Sequence, residues 1–522
     1  MKMKFSFKDD KNDSRTVNSL RNAATSLGGQ ALNNVLRFVC RTVFVYTLGK
    51  NYLGISTLYS SVLTLLSIAE LGFGTAITYS LYKPLAEGDT EKIKSLMQYF
   101  KKAYRTIGFV IFGLGMCLMP FLPKLLTRIP NEINIYEYYL LYLLQTVVSY
   151  LFFAYKAVLL NADQKKYITD LIQYMVQVLM NVVQIIELFA VRSFFLYTVL
   201  AIVFAVVQNI ATAAYVDRRY PYLKEKAQPL GKAEKKTIFT QVYATALYKV
   251  SAAIGTATDN LIISAYISTA MVGIYGNYFL IIQVFQNIID GVVRAFSASV
   301  GNLFAVSSRE KSEFTFRCLN LLNDFAVAFC AVEFMSIFQP FMTLWMGRTM
   351  LISNTVLIIV VYNFAANYMQ LVVNIYNEST GTFVYGKYRA VATAVLNLII
   401  SIVLVKKMGL AGVFLGTIIS RAITMFWFDP MILYKKAFQM PVHGYFLQYG
   451  ITMAVITGCS ALVYVAGMPF TSHPILCMIE KGILALVVTP AFYWLIYHRS
   501  EEYRFLMEKA KGMLKKRRVR HK

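Results

Sequence analysis

Residues 54–92 read GISTLYSSVLTLLSIAELGFGTAITYSLYKPLAEGDTEK, an apolar helix-forming stretch followed by a polar loop. Shifting the chain by 219 residues lays this stretch on 273–311, and nine of its 39 positions coincide. Gly54, Ile55, Tyr59, Gly72, Ala76, Ser80, Ala86, Glu91 and Lys92 meet Gly273, Ile274, Tyr278, Gly291, Ala295, Ser299, Ala305, Glu310 and Lys311. The matches fall at equivalent points of a helix and the loop behind it, so the two halves of the chain read as copies of one unit.

Working outward, apolar stretches of about 20 residues recur along the 522-residue chain, each long enough to cross a bilayer core of ~30 Å. The composition agrees, with 57% apolar residues and a mean hydropathy of +0.52. Fourteen spans are expected, near 19–46, 52–82, 99–124, 135–160, 168–190, 193–216, 241–267, 271–301, 316–340, 354–378, 389–405, 410–434, 447–467 and 475–497. With the N-terminus inside, this arrangement puts 38 of the 52 Lys and Arg residues in the cytoplasm or at its interface. Seven lie outside and seven within spans, a strong inside bias that favours both ends cytoplasmic.

The expected fold is an all-α polytopic membrane protein of 14 transmembrane helices, with two six-helix lobes related by a parallel repeat plus two C-terminal helices. The segments are a cytoplasmic N-terminal piece at 1–18, an N-lobe at 19–216 and a basic linker at 217–240. A C-lobe at 241–434, two further helices within 447–497 and a basic tail at 498–522 follow. Each half has an even number of spans, so both enter from the same face, and a path between two lobes that rock is the natural site for a substrate. The first residues, MKMKFSFKDDKNDSR, lack a cleavable signal, and the first span is expected to direct its own insertion.

Several chemistries are disfavoured. A net charge of +25 would suit nucleic acid in a soluble chain, but here it follows membrane sidedness, and no nucleic-acid partner is expected. Gly381 to Lys387 has phosphate-loop spacing, yet Tyr388 replaces the required Ser or Thr and no soluble strand precedes it. The four histidines lack metal-ligand spacing, and the six cysteines lie within spans without a CxxC pair. No cofactor is expected, and any driving force is expected from a proton or sodium gradient. The outer loops are short, which argues against a membrane enzyme.

The seven intramembrane cations are Arg37, Arg41, Lys156, Lys249, Arg294, Arg421 and Lys481. A cation in hydrocarbon costs several kcal/mol on most estimates, roughly 2.5 to 3.5 by insertion scales, so such residues line a wet cavity or pair with a partner. At about 100° per residue, Ser26, Gln30, Asn33, Asn34, Arg37 and Arg41 of span 1 share an arc of about 100°. Gln283, Gln286, Asn287, Asp290, Arg294 and Ser297 do the same in span 8, and Gln241, Thr245, Lys249, Thr256 and Asp259 in span 7.

Such stripes also serve as interhelical glue, and Asp290 with Arg294 could be a structural i, i+4 pair. Arg37 and Arg41 have no carboxylate in their own helix, so their anion must come from another helix or from a ligand. Lys156 and Lys481 lie near span ends, where long side chains snorkel, and Arg421 has no clear polar stripe. Intramembrane carboxylates are Glu70, Glu187, Asp259, Asp290, Asp324, Glu333 and Glu378, of which Glu70, Asp259 and Asp290 rank first as ion-coupling residues, because they lie deep in the repeat helices.

The stretch 41–108, with its RTVF, LGxxYLG, AELGxGxA and SLYKPLAEGD blocks, closely resembles the polysaccharide-transporter branch of the multidrug/oligosaccharidyl-lipid/polysaccharide (MOP) flippase superfamily. It is most similar to the oligosaccharide repeat-unit flippases of Gram-positive bacteria. The resemblance implies transfer of an undecaprenyl-diphosphate-linked oligosaccharide from the inner to the outer leaflet of the bacterial cell membrane by alternating access, for capsule, exopolysaccharide or wall polymer. It implies membrane lipids and polysaccharide polymerase or export machinery as partners, and lumen cations that hold the pyrophosphate. The expected substrate residues are Arg37, Arg41, Lys249, Arg294, Gln30, Asn34, Gln283 and Asn287. The alternatives are a peptidoglycan-precursor flippase, a cation-coupled multidrug exporter and, from a different class, a polysaccharide polymerase or ligase.

Overall fold

The computed structural model describes residues 15–67, 73–130, 133–294, 308–466 and 474–520. The protein is 90% helical, with no strand among the described residues. Two compact units divide it: Met1–Ala257 with Ser268–Ala270, and Thr258–Ile267 with Met271–Lys522.

The first unit contains α1 (Arg15–Leu66), α2 (Phe73–Glu87), α3 (Thr90–Leu118), α4 (Ile135–Leu151), α5 (Tyr155–Ala162), α6 (Lys166–Ala190), α7 (Phe194–Arg219) and most of α8 (Lys232–Tyr266). The second holds the end of α8, then α9 (Thr269–Arg294), α10 (Arg309–Met346), α11 (Asn354–Tyr368), α12 (Leu371–Thr380), α13 (Lys387–Met408) and α14 (Leu410–Ile423). It finishes with α15 (Met425–Ile432), α16 (His443–Ala466), α17 (Pro474–Tyr497) and α18 (Glu501–Arg520).

Ten described helices are long and apolar enough to cross a membrane, and the α4–α5 pair, bent by 51° near Phe153, makes an eleventh. The other three expected spans, 19–46, 52–82 and 241–267, fall on α1, α2 and α8, whose side chains are described in part. Ile186, Phe189, Ile483 and Leu486 stand exposed on helix faces, which suits lipid and would be costly in water. The expected boundary between spans 1 and 2 is a kink at Gly49, where φ is 85° and only glycine sits without strain.

Repeat-equivalent residues do equivalent work in their own units. Asp89 caps α3 by accepting the Lys92 N–H at 2.9 Å, and Ser308, 219 residues on, caps α10 by accepting the Lys311 N–H at 3.4 Å. The shared Glu91-Lys92 and Glu310-Lys311 pairs therefore occupy matching first turns, where an acidic residue suits the helix dipole. Tyr59 and Tyr278 are both fully buried. Tyr59 donates its hydroxyl to the Ile135 carbonyl at 2.6 Å, at the start of α4. The Tyr278 hydroxyl accepts the Ile352 N–H at 3.3 Å, just before α11, and donates to Gln339 Oε1 at 3.2 Å.

The expected linker 217–240 includes the ends of α7 and α8 and folds back on the first unit. Tyr220 donates to Asp163 Oδ2 at 2.5 Å, Lys94 meets Glu225 at 2.8 Å, and Lys92 pairs with Glu234. Burial and the Asp163 carboxylate push the Tyr220 phenol above its ordinary range, so it remains a neutral donor.

Candidate functional site

In the first unit, α1 lies along α6, and their approach depends on Gly29: a Cβ there would sit 2.1 Å from the Tyr174 ring. Asn33 and Cys40 face into this contact and are buried, whereas Gln30, Asn34 and Arg41 are half-buried and Arg37 is exposed. Cys40 Sγ lies 3.9 Å from the Tyr197 hydroxyl on α7, and Phe44 meets the Tyr197 ring edge-on at 5.0 Å. Arg41 sits in electrostatic contact with Tyr197 and Arg37. Among the described residues Arg37 makes no ion pair, and its stripe-mate Ser26 has no described side chain.

The partner helix carries polar residues that its charges alone do not reveal. Gln173, Gln177, Asn181, Gln184 and Glu187 fall at i, i+4, i+8, i+11 and i+14 of α6, one continuous face. Gln184 donates to the Tyr197 carbonyl at 3.0 Å, and Glu187 Oε1 accepts the Ser193 N–H at 2.9 Å. Glu187 is also in electrostatic range of Cys40. The 3.6-residue period of these five is present in the sequence and marks a second wet face in this lobe.

The second unit treats its charges differently. Arg294 Nε lies 3.2 Å from Asp290 Oδ1, and Arg294 Nη1 lies 3.4 Å from Glu378 Oε2 on α12. Tyr368 of α11 donates to Asp290 Oδ2 at 3.0 Å. The i, i+4 pair expected from sequence is present, extended to a cluster with two carboxylates for one guanidinium. Its helix also displays Gln283, exposed, and Asn287, half-buried.

Asp259, at the end of α8, is buried and receives the Thr417 hydroxyl at 3.2 and 3.3 Å from its two oxygens. Asn397 of α13 donates to the same Thr417 oxygen at 2.8 Å. Arg421, for which the sequence suggested no role, lies one turn on along α14 in electrostatic contact with Asp259. A shift of 219 residues places Cys40 on Asp259, and Tyr197 one residue short of Thr417. The first helix of each lobe therefore meets the sixth at the same level, through a thiol and a phenol in one unit and a carboxylate and a hydroxyl in the other.

Lys156 does not snorkel: its Nζ lies 2.6 Å from both oxygens of Asp217, and burial makes that pairing necessary. Lys481 is buried with its ammonium 5.4 Å from the Tyr464 ring centre. Glu70 and Ser297 lie outside the described residues, as do the side chains of Gln241, Thr245, Lys249 and Thr256.

No protein-family model matches the chain, and no curated protein sequence does. Solved structures do. The lipid II flippase MurJ in an inward closed conformation superposes with a TM-score of 0.68 at 12% identity, covering 91% of this chain and 99% of its own. An inward-facing multidrug resistance MATE family transporter of the MOP superfamily gives 0.64 at 15% identity, covering 80% and 100%. The fold is that of MOP-superfamily transporters. A further member, from Pyrococcus furiosus and described as having a binding pocket of reverse polarity that suggests a different function, gives 0.54 at 13% identity, covering 81% and 97%. These neighbours are membrane transporters and flippases, not enzymes.

Proposed function

We propose that this protein is a flippase that carries an undecaprenyl-diphosphate-linked oligosaccharide from the inner to the outer leaflet of the bacterial cell membrane by alternating access, for capsule, exopolysaccharide or cell-wall polysaccharide. In this reading it has 14 spans with both termini cytoplasmic. The observation that carries the reading is Arg37, a cation within a span that is exposed and makes no ion pair among the described residues, one turn from Arg41.

A diphosphate cannot cross hydrocarbon, whereas a polyprenyl tail can stay in it. The protein must therefore offer cations and hydrogen-bonding groups to the headgroup alone. Guanidinium groups suit a diphosphate through forked, charge-assisted bonds. Gln30 and Asn34 beside them, with Gln283 and Asn287 in the other lobe, can exchange hydrogen bonds with sugars. Lys249 is assigned to the diphosphate with the two arginines. Arg294, held by Asp290 and Glu378, contributes less charge. A drug-cation exporter would favour carboxylates where this chain places Arg37 and Arg41.

Asp259 is the proposed coupling residue for a proton or sodium gradient, because it is a buried carboxylate on a helix that begins in one unit and ends in the other. Asp290, held by Arg294 and Tyr368, and Glu70 are the remaining coupling candidates. Membrane lipids and the polymerase or export machinery are the proposed partners.

The test is reconstitution in vesicles with the lipid-linked oligosaccharide, with and without each gradient, reading headgroup exposure on the far leaflet. Transfer that Arg37→Ala and Arg41→Ala together abolish supports the reading; unchanged transfer by that folded double variant removes it. A peptidoglycan-precursor flippase is the second reading, favoured by the 91% coverage by the lipid II flippase. Preferential transfer of lipid II in the same vesicles would select it.

A further inference from the structure

The deepest carboxylate in the second unit belongs to neither polar stripe. Asp324, in the middle of α10, is 1% exposed and packs where α16 begins and α17 ends. Its Oδ2 accepts from Asn320 Nδ2 and from Gln448 Nε2, each at 2.9 Å. Among the described residues no Lys, Arg or His pairs with it. Tyr445 and Tyr449 of α16 and Tyr493 and Tyr497 of α17 stand within electrostatic range of the carboxylate.

A second observation points to a ligand. Asp324 Oδ1, Asn320 Oδ1, Asn323 Oδ1 and the Tyr445 hydroxyl are all buried without a hydrogen-bond partner among the described residues. Their residues are 1%, 2%, 1% and 3% exposed. The amide nitrogens of both asparagines are spent elsewhere, on Asp324 and on the Tyr368 carbonyl at 2.9 Å, which fixes the orientation of their free oxygens. Leaving several buried acceptors unsatisfied costs about 1 to 3 kcal/mol each, and native proteins do not tolerate many such groups at one place.

A proton on Asp324 would satisfy one of these acceptors at most and leave two amide oxygens bare. A hard cation takes carboxylate, amide and hydroxyl oxygens together. One carboxylate balances one positive charge, and a divalent ion would leave an uncompensated charge in a dry interior. Short side chains on adjacent turns of one helix make a tight cage, which suits the smaller of the common alkali ions.

We propose that Asp324, Asn320, Asn323 and Tyr445 form a sodium-ion site that fastens the two C-terminal helices to α10. Those helices lie outside the internal repeat, and in this site they close a cation cage that the repeat unit supplies only on one side. The site is separate from Asp259.

The purified full-length chain should unfold at a higher temperature in NaCl than in equal concentrations of KCl or choline chloride, because a ligand that binds only the folded state stabilises it. Asp324→Asn, nearly isosteric, should abolish this sodium-specific shift, and Asp259→Asn should retain it. Tyr445→Phe and Asn320→Ala each remove one oxygen and should raise the sodium concentration for half effect by about tenfold; they carry the test if Asp324→Asn fails to fold. The proposal is overturned by an equal shift in KCl, by no sodium response, or by a response that Asp259→Asn removes and Asp324→Asn keeps.

Discussion

The two units descend from one pattern, and the same contact has opposite chemistry in each. Where the first helix of the N-terminal lobe meets the sixth, Cys40 touches Tyr197 beside Arg41. Where the corresponding helices of the other lobe meet, Asp259 is bonded by Thr417 beside Arg421. One lobe leaves Arg37 exposed and without an ion pair among the described residues, and the other surrounds Arg294 with Asp290 and Glu378. Backbone and caps are shared between the copies because both must pack; charge has diverged because the copies need not do the same job. In the proposed flippase the first lobe holds the anion and the second senses the gradient.

The sharpest way to break this division is to remove the cations of the first lobe. Charge-assisted hydrogen bonds contribute roughly 1.5 to 3 kcal/mol each, so Arg37→Ala with Arg41→Ala is expected to lower transfer by roughly 100-fold or more in vesicles. Arg41→Lys should restore little, because a point charge cannot reproduce the fork. Transfer reduced equally by Arg294→Ala would erase the distinction between lobes.

Asp259→Asn comes next. One charge moved through 100 mV is worth about 2.3 kcal/mol, a gain of roughly 50-fold. The variant should lose the gradient-driven part of transfer and keep downhill exchange, measured with the gradient imposed and then collapsed. A response to the gradient equal to that of the parent would take the coupling role away from this residue.

The tyrosines test the structural half of the comparison. Tyr278→Phe strips a buried partner from the Ile352 N–H and should cost about 1 to 3 kcal/mol. Tyr59→Phe removes a donor from a carbonyl inside a helix, and should cost about 1 kcal/mol. Thermal unfolding of the two variants checks the order; the reverse order would mean that the two latches are not equivalent.

The helices, their spacing and the repeat were legible because they rest on local rules: apolar length, caps and a 219-residue register. So was the pair Asp290 and Arg294, one turn apart. The partners were not, since Glu378 lies 84 residues from Arg294 and Thr417 lies 158 from Asp259. No period encodes such contacts. Arg421 looked isolated for that reason, and Lys156 looked like a snorkelling end because Asp217 is 61 residues away. The wet face of α6 is readable from its period, but it carries amides, and charge alone does not mark it.

The smallest effect is expected from Arg294→Gln. Its side chain is half exposed, and such ion pairs contribute about 0 to 1 kcal/mol, so stability should change little. Two carboxylates already offset its charge, and Gln keeps a donor for Asp290. Transfer should fall by less than about fivefold, which corresponds to roughly 1 kcal/mol. If instead the loss equals that of the first-lobe arginines, Arg294 must leave Asp290 and Glu378 to grip the headgroup during the cycle. Then Glu378→Gln, by loosening that hold, should raise the affinity for the diphosphate, measured by binding of the lipid-linked oligosaccharide to the purified variant. A small loss for Arg294→Gln with no change for Glu378→Gln keeps the cluster structural and leaves the anion to the first lobe.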